Sequence, residues 1–309
     1  MTYRRLGSTG LVVSTVGLGC NNFGRRIGLE ETRAVVDAAI DAGVTFFDTA
    51  DAYGDSELLL GEVLEGRRDN VVIATKFGAA VFDAPPWEAR ASRRFIRRAV
   101  ERSLRRLRTD YIDLYQLHRP DTKTPIAETL GALTELVHEG KVRYLGCSNF
   151  AAWQVADAAW IARDAGLEQF VSAQNHYSLL ERSVEAELVP ACKQFGLGVL
   201  PYYPLANGLL TGKLRRGETP PTDSRLADDR YRSWLTDERF DVVERLSELA
   251  AKWEVTLLDL AIGGLAARPT VASVIAGATK PEQVRANAAA GAWTPTADQM
   301  ADIDAALLG

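Results

Sequence analysis

The chain has 309 residues, 47% of them hydrophobic and 25% charged, a balance that excludes a mainly disordered protein and allows a large buried core. Its net charge of -5 argues against nucleic acid as a partner, because polyanion binding needs a basic surface to release counterions. Cys20, Cys147 and Cys192 are odd in number, far apart and without metal-ligand spacing, so neither a disulfide framework nor a metal site is expected.

From the amino terminus, Arg4 and Arg5 are followed by Gly7, Ser8, Thr9 and Gly10, where a signal segment would need apolar residues. No run reaches the length of a membrane-spanning helix, so a cytoplasmic protein with no membrane partner is expected. Tyr3 to Ser14, with Gly7 and Gly10 in its middle, reads as a hairpin able to plug the floor of the fold that follows. Short β-branched or apolar runs then recur near Val16, Phe46, Val72, Ile112, Tyr144, Val171, Val199 and Val274, separated mostly by segments of helical periodicity. Two of the helices carry clear stripes: Ile96, Val100, Leu104 and Leu107, then Ile126, Leu130, Leu133 and Val137. Gly43, Gly140, Gly166 and Gly196 each stand between a helix and the next strand, where a left-handed residue ends a helix at little cost.

This alternation predicts an α/β fold, a (β/α)8 TIM barrel with an N-terminal β-hairpin and a C-terminal helix around Thr296 to Leu308. Residues 1–309 are expected to form a single barrel domain. No G-x-G-x-x-G follows the first strand, which argues against a doubly wound sheet. Two irregular stretches, 77–90 with Pro85, Pro86 and Trp87, and 203–237, rich in Gly, Pro and Asp, both follow strand ends and should lie over the active face.

Four ionisable residues, Asp48, Tyr53, Lys76 and His118, follow short apolar runs at Val44 to Phe47, Val71 to Thr75 and Ile112 to Leu117. Tyr is a weak acid with a pKa of roughly 10 unless a cation stabilises its phenolate. Lys76 is the candidate cation, Asp48 its partner, and His118 a hydrogen-bond donor to a carbonyl oxygen. Such a set suits hydride addition to a carbonyl, with charge on oxygen met by donors and then by a proton. The hydride must come from a cofactor.

The motifs F-D-T-A-x-x-Y-G at Phe47 to Gly54, T-K at Thr75 and Lys76, D-L-x-x-x-H at Asp113 to His118, and G-x-S-N-F at Gly146 to Phe150 resemble those of the aldo-keto reductases, in family order, over nearly the whole chain. The resemblance is to bacterial-type members without a long C-terminal loop. It implies an NADPH (NADP+) cofactor and a small-molecule carbonyl substrate, with no metal. It also implies that Tyr53 is the general acid, that Lys76 and Asp48 lower its pKa, and that His118 orients the carbonyl. By the same resemblance Ser148, Asn149 and Gln174 contact the nicotinamide carboxamide, and Tyr202 stacks on the nicotinamide ring. Leu205 to Lys213, including Gly208 and Leu210, resembles the pyrophosphate loop, with Arg225 as a clamp. Gly277, Thr279, Lys280, Gln283 and Asn287 match the adenosine-phosphate site.

Gln283 stands where many mammalian members have Arg, Ala286 where they have Glu, and Tyr203 where Ser is common. The sequence ends at Gly309, soon after the last helix, so a pocket more open than in those members is expected, walled by Phe23, Trp87 and Tyr177 or closed by another subunit. Oligomeric state is left open. Taken singly, each of the four central residues has a structural explanation, and Ser148 and Asn149 are alternatively caps of a helix starting near Ala151. The Arg-rich stretch from Arg93 to Arg108 is read as the solvated face of a barrel helix. Two other functions compete with the reductase: a nucleotide-binding regulatory subunit, because the family includes potassium-channel β subunits, and a Schiff-base aldolase acting through Lys76.

Overall fold

A computed structural model describes residues 1–79, 85, 87–222 and 224–308. The N-terminal segment folds as an antiparallel hairpin of β1 (Tyr3–Arg5) and β2 (Val12–Ser14). The barrel strands are β3 (Val16–Gly19), β4 (Phe46–Asp48), β5 (Val72–Phe77), β6 (Ile112–Leu117), β7 (Val142–Ser148), β8 (Phe170–His176), β9 (Gly198–Tyr202) and β10 (Val274–Gly277). They pair in parallel and close in the order β10-β3-β4-β5-β6-β7-β8-β9, the (β/α)8 arrangement expected from the sequence. Around it run α1 (Leu29–Asp41), α2 (Ser56–Val63), α3 (Arg93–Leu107), α4 (Ile126–His138), α5 (Ala152–Ala165), α6 (Leu188–Phe195), α7 (Asp237–Lys252), α8 (Leu257–Asp259, continuing as a π turn over Leu260–Gly264), α9 (Pro281–Ala290) and the C-terminal α10 (Ala297–Leu308).

Period-two alternation along the strands builds the barrel interior in layers. Phe46, Ala74, Leu114, Leu200 and Ile275 form an apolar layer with Leu6, which the hairpin inserts from below. The hairpin seals the floor by backbone contact: Ser8 N–H donates to the Gly196 carbonyl at 2.9 Å. Gly7, at φ +59°, is forced there, because a Cβ would lie 2.4 Å from the same carbonyl oxygen. Two residues further along the strands the interior turns polar, with Asp48, Lys76, Gln116 and Gln174, all buried. The layer that carries chemistry therefore sits directly on an apolar floor.

The stripes expected on α3 and α4 face inward, with Ile96, Val100, Leu130 and Leu133 fully buried. The α3 arginines turn outward onto acids of the neighbouring helices, Arg93 on Glu135, Arg97 on Glu139 and Arg108 on Glu62 and Glu65. This is the solvated face that the interleaving with apolar residues implied. No helix among the described residues is long and apolar enough to cross a membrane.

Two local features add detail to the sequence reading. The apolar runs end just before their strands do: Asp48 is the last residue of β4 and Lys76 the next to last of β5, both at strand ends. The stretch 203–237 is not featureless, because 3-10 turns form over Ala206–Thr211, Arg225–Ala227 and Asp229–Trp234. These turns bury Leu209, Leu210, Leu214 and Leu226 against α7, α8 and α10 in an apolar cluster of their own. In the other stretch, Ala80 to Ala84 and Pro86 lie outside the described residues.

Candidate active site

A cleft of about 470 Å³ opens at the carboxyl ends of the strands, the face where α/β barrels collect catalytic groups. It is lined by Asp48, Tyr53 and His118, by Ser148, Asn149, Gln174 and Tyr202, by Leu205, Gly208, Lys213 and Arg225, and by Gly277, Thr279, Gln283 and Asn287. Residues separated by more than 230 positions in sequence thus meet in one cavity.

Asp48 is the hub of the polar layer. Its Oδ2 accepts from Lys76 Nζ at 2.6 Å, and its Oδ1 accepts from Gln174 Nε2 at 2.8 Å and Gln116 Nε2 at 3.1 Å. Lys76 is fully buried and gives a second hydrogen bond to the Thr49 carbonyl at 2.9 Å. Burial alone would push its ammonium pKa down, but the adjacent Asp48 carboxylate and Tyr53 outweigh burial and hold it above its ordinary value. Lys76 therefore stays charged, whereas a Schiff-base role requires a neutral amine.

Tyr53 stands in the loop after β4, with Lys76 Nζ 5.1 Å from its ring centroid. Burial raises its phenol above the ordinary value and outweighs the lowering by Lys76, while the negative charge of Asp48 adds to the rise. The expectation that Asp48 lowers the Tyr53 pKa is thus corrected. Asp48 acts on the phenol with the opposite sign and favours its protonated form. His118, edge-on to Tyr53 with ring centroids 5.7 Å apart, is pushed down to about 3 by burial, helped by Lys76 and Arg119. It is neutral near pH 7 and has one N–H to give. Its Nδ1 is buried without a partner among the described residues.

Ser148 and Asn149 do not cap α5, since Ala151 is the N-cap and its N–H donates to Gln154 Oε1 at 2.9 Å. Asn149 instead takes a left-handed backbone, φ 61°, and its amide joins neighbouring strand ends. Its Nδ2 donates to the His118 carbonyl at 2.9 Å and its Oδ1 accepts from the Tyr202 hydroxyl at 2.8 Å. The Tyr202 ring stacks on His176 with centroids 5.6 Å apart. Arg225 reaches across the mouth and donates to Asn21 Oδ1 at 3.0 Å and Asn22 Oδ1 at 3.3 Å. At the far end the Thr279 N–H and hydroxyl both donate to Gln283 Oε1, at 2.8 and 3.2 Å.

Several expected residues do not line the cleft. Phe23 and Tyr177 are buried in the core, the latter donating its hydroxyl to Glu185 Oε1 at 2.5 Å, so neither walls a substrate pocket. Trp87 is 68% exposed and packs under the Arg94 guanidinium, outside the cleft. Leu210 is buried in the loop's own apolar cluster, and Lys280 is an exposed residue at the N-cap of α9. The walls are instead Asn21, Asn22, Arg25, Arg26, Arg119 and Tyr203, with Asn207 in the loop after β9. Gln116, which the sequence did not single out, lies two residues after Leu114 and two before His118 and points inward opposite Lys76. Cys147 is buried and its thiol is pushed well above its ordinary value by burial, so it is no nucleophile. Among the described residues no group of His, Cys, Asp and Glu could hold a metal ion.

The sequence profile of the aldo/keto reductase family matches residues 15–308. The chain belongs to that family. A relative from Bacillus subtilis (strain 168) named "Uncharacterized oxidoreductase YrpG" is 38% identical over 298 residues, covering 92% of this chain and 89% of the relative. "Probable aldo-keto reductase 1" of Glycine max is 36% identical, covering 89% of this chain and 80% of its own. "Probable voltage-gated potassium channel subunit beta" of Oryza sativa subsp. japonica is 37% identical, covering 93% and 90%. Membership supports an oxidoreductase acting on small-molecule carbonyl compounds, in a family that generally uses a nicotinamide cofactor.

Proposed function

We propose that this protein is a cytoplasmic single-domain reductase that converts aldehyde or ketone carbonyls to alcohols with NADPH, Tyr53 serving as the general acid. The observation that carries this reading is geometric: Tyr53 and His118 line one cleft with ring centroids 5.7 Å apart, and the ammonium of Lys76, buried behind them, lies 5.1 Å from the Tyr53 ring centroid. Reduced nicotinamide, when bound, supplies a hydride to the carbonyl carbon. The side chains handle the oxygen. His118 gives its N–H to the carbonyl oxygen, Tyr53 passes its hydroxyl proton to the developing alkoxide, and the Lys76 ammonium stabilises the phenolate left behind.

The cleft offers a fit for such a cofactor. Asn207 has a left-handed backbone, φ 59°, is 8% exposed, and leaves both its amide nitrogen and oxygen buried without partners among the described residues, so a polar group entering the cleft would satisfy it. Gln174 has committed Nε2 to Asp48 and keeps its carbonyl oxygen as an acceptor for a carboxamide N–H. Tyr202 offers a ring face, and Ser148 and Asn149 hold that ring and His118 in place. Leu205, Gly208, Lys213 and Arg225 would take the pyrophosphate side. Gly277, Thr279, Gln283 and Asn287 would take the adenosine side, where preference for the 2′-phosphate falls to Lys280 beside them.

Loss of NADPH absorbance with a panel of simple aldehydes, run beside NADH, tests the reading. Oxidation of NADPH is expected, and Tyr53→Phe is expected to lower kcat by about 10²–10⁴ while cofactor affinity stays within a small factor. Cofactor binding without turnover on any carbonyl would sink the enzyme role. It would favour a second reading, a nucleotide-binding regulatory subunit, which the printed name of the rice relative supports.

A further inference from the structure

The cleft carries a charge imbalance that carbonyl reduction by itself does not require. Among the described residues that line it, Asp48 is the one carboxylate, and Lys76 already neutralises it. The other charged side chains are Arg25, Arg26, Arg119, Lys213 and Arg225, on a protein whose net charge is -5. Lys213 and Arg225 lie in the segment after β9, on the side assigned above to the cofactor. Arg25 and Arg119 flank the reacting groups instead. The Arg25 guanidinium carbon is 5.7 Å from the Tyr53 ring centroid, and its Nη2 donates to the Ala52 carbonyl at 2.5 Å, which fixes the head while no carboxylate among the described residues pairs with it. Arg119 follows His118 directly, is exposed, and makes no ion pair or hydrogen bond among the described residues. It lines the cleft with His118 and Tyr202, and its charge lowers the pKa of both.

Three carboxylates close by face other groups: Asp55 and Glu57 face Arg106, and Asp121 accepts from Ala91, Lys123 and Thr124. Two guanidinium groups with no acidic partner among the described residues, one beside Tyr53 and one next to His118, can each hold an oxyanion, and a cationic cleft on an acidic protein concentrates anions there.

We infer that the carbonyl substrate is itself an anion, an aldehyde or ketone carrying a carboxylate or phosphate that Arg25 and Arg119 hold while the carbonyl oxygen faces Tyr53 and His118. This rests on the reductase reading given above. The oxyanion takes no part in the chemistry: hydride goes to the carbonyl carbon, the Tyr53 proton to its oxygen, and the charge held by the arginines is unchanged.

The test compares kcat/KM for matched pairs with NADPH, 4-oxobutanoate against butanal and glyceraldehyde 3-phosphate against glyceraldehyde, in wild type, Arg25→Gln, Arg119→Gln and Arg119→Lys. At least one anionic member is expected to be favoured by about tenfold or more, the scale of one charge-assisted hydrogen bond, and the favoured pair identifies carboxylate or phosphate. That ratio should fall about tenfold in the two Gln variants, recover partly in Arg119→Lys, and shrink as salt rises. Both arginines are exposed, and Tm confirms that the variants fold. Equal or better use of the neutral aldehydes, or a ratio unmoved by the substitutions, overturns the proposal and leaves the reductase reading standing. Where no aldehyde is reduced, that reading fails instead, and calorimetric titration of 4-oxobutanoate and of inorganic phosphate decides the anion site: saturable binding lost in both Gln variants sustains it, and no binding overturns it.

Discussion

Lys76 and Asp48 show how a candidate catalytic side chain can also be structural. The pair is buried, 2.6 Å apart, and each member is held by further hydrogen bonds to Thr49, Gln116 and Gln174. Removing one partner leaves an uncompensated charge in the barrel, at a cost of about 3–5 kcal/mol. Lys76→Met is therefore expected to lower Tm as well as turnover, and Lys76→Met with Asp48→Leu to be less destabilised than the sum of the single changes; a double-mutant cycle by thermal unfolding measures this. His118 gives a second prediction, from linkage. Its folded pKa of about 3 lies below the ordinary 6.5, so between those values the unfolded chain binds more protons and stability falls as pH falls. His118→Asn should lose stability less steeply across that window, by up to about 1.4 kcal/mol per pH unit, with the two curves parallel above pH 6.5. A wild-type slope no steeper than that of the variant would contradict the buried neutral imidazole.

The hairpin and the loop after β9 are the elements that finish the barrel at its two ends. Leu6 is fully buried in the apolar layer below the polar one. Leu6→Ala is expected to cost about 2–5 kcal/mol in chemical denaturation while kcat/KM stays near wild type, since the hairpin meets the ends of the strands opposite the cleft. The strands and helices were legible because they write their own periods, and α1, α4, α5 and α6 end at left-handed glycines, Gly43, Gly140, Gly166 and Gly196. Tyr53 and His118 were legible because their motifs follow strands directly. Gln116 and the pocket walls were not, for a different reason. Which side chains of a strand face inward depends on register with its neighbours, and Gln116 acquires meaning only opposite Lys76. Phe23 and Tyr177 lie in connections whose path is set by distant contacts, so an aromatic near a strand end carried no information on whether it faced cleft or core. Asn207 shows the same limit, because its strained backbone follows from how the loop after β9 packs on α7, α8 and α10.

At the scale of the molecule two apolar bodies share one cleft. The larger fills the space between the barrel and its helices, and the smaller joins the loop after β9 to α7, α8 and α10. Arg225, donating to Asn21 and Asn22, ties that loop across the mouth to the segment after β3. Hydrogen exchange should therefore separate them: addition of NADPH is expected to slow amide exchange in 205–227 and at the start of α9 while the hairpin changes little, and uniform protection would contradict that division. The polar layer has a wider consequence. Asp48 on β4 binds Lys76 on β5, Gln116 on β6 and Gln174 on β8, so one carboxylate girdles half the circumference of the barrel. A descendant that gave up turnover could not lose the lysine or the aspartate alone without leaving a buried charge unpaired. Selection for a folded scaffold alone would preserve them, and their survival in a lineage records architecture as much as chemistry.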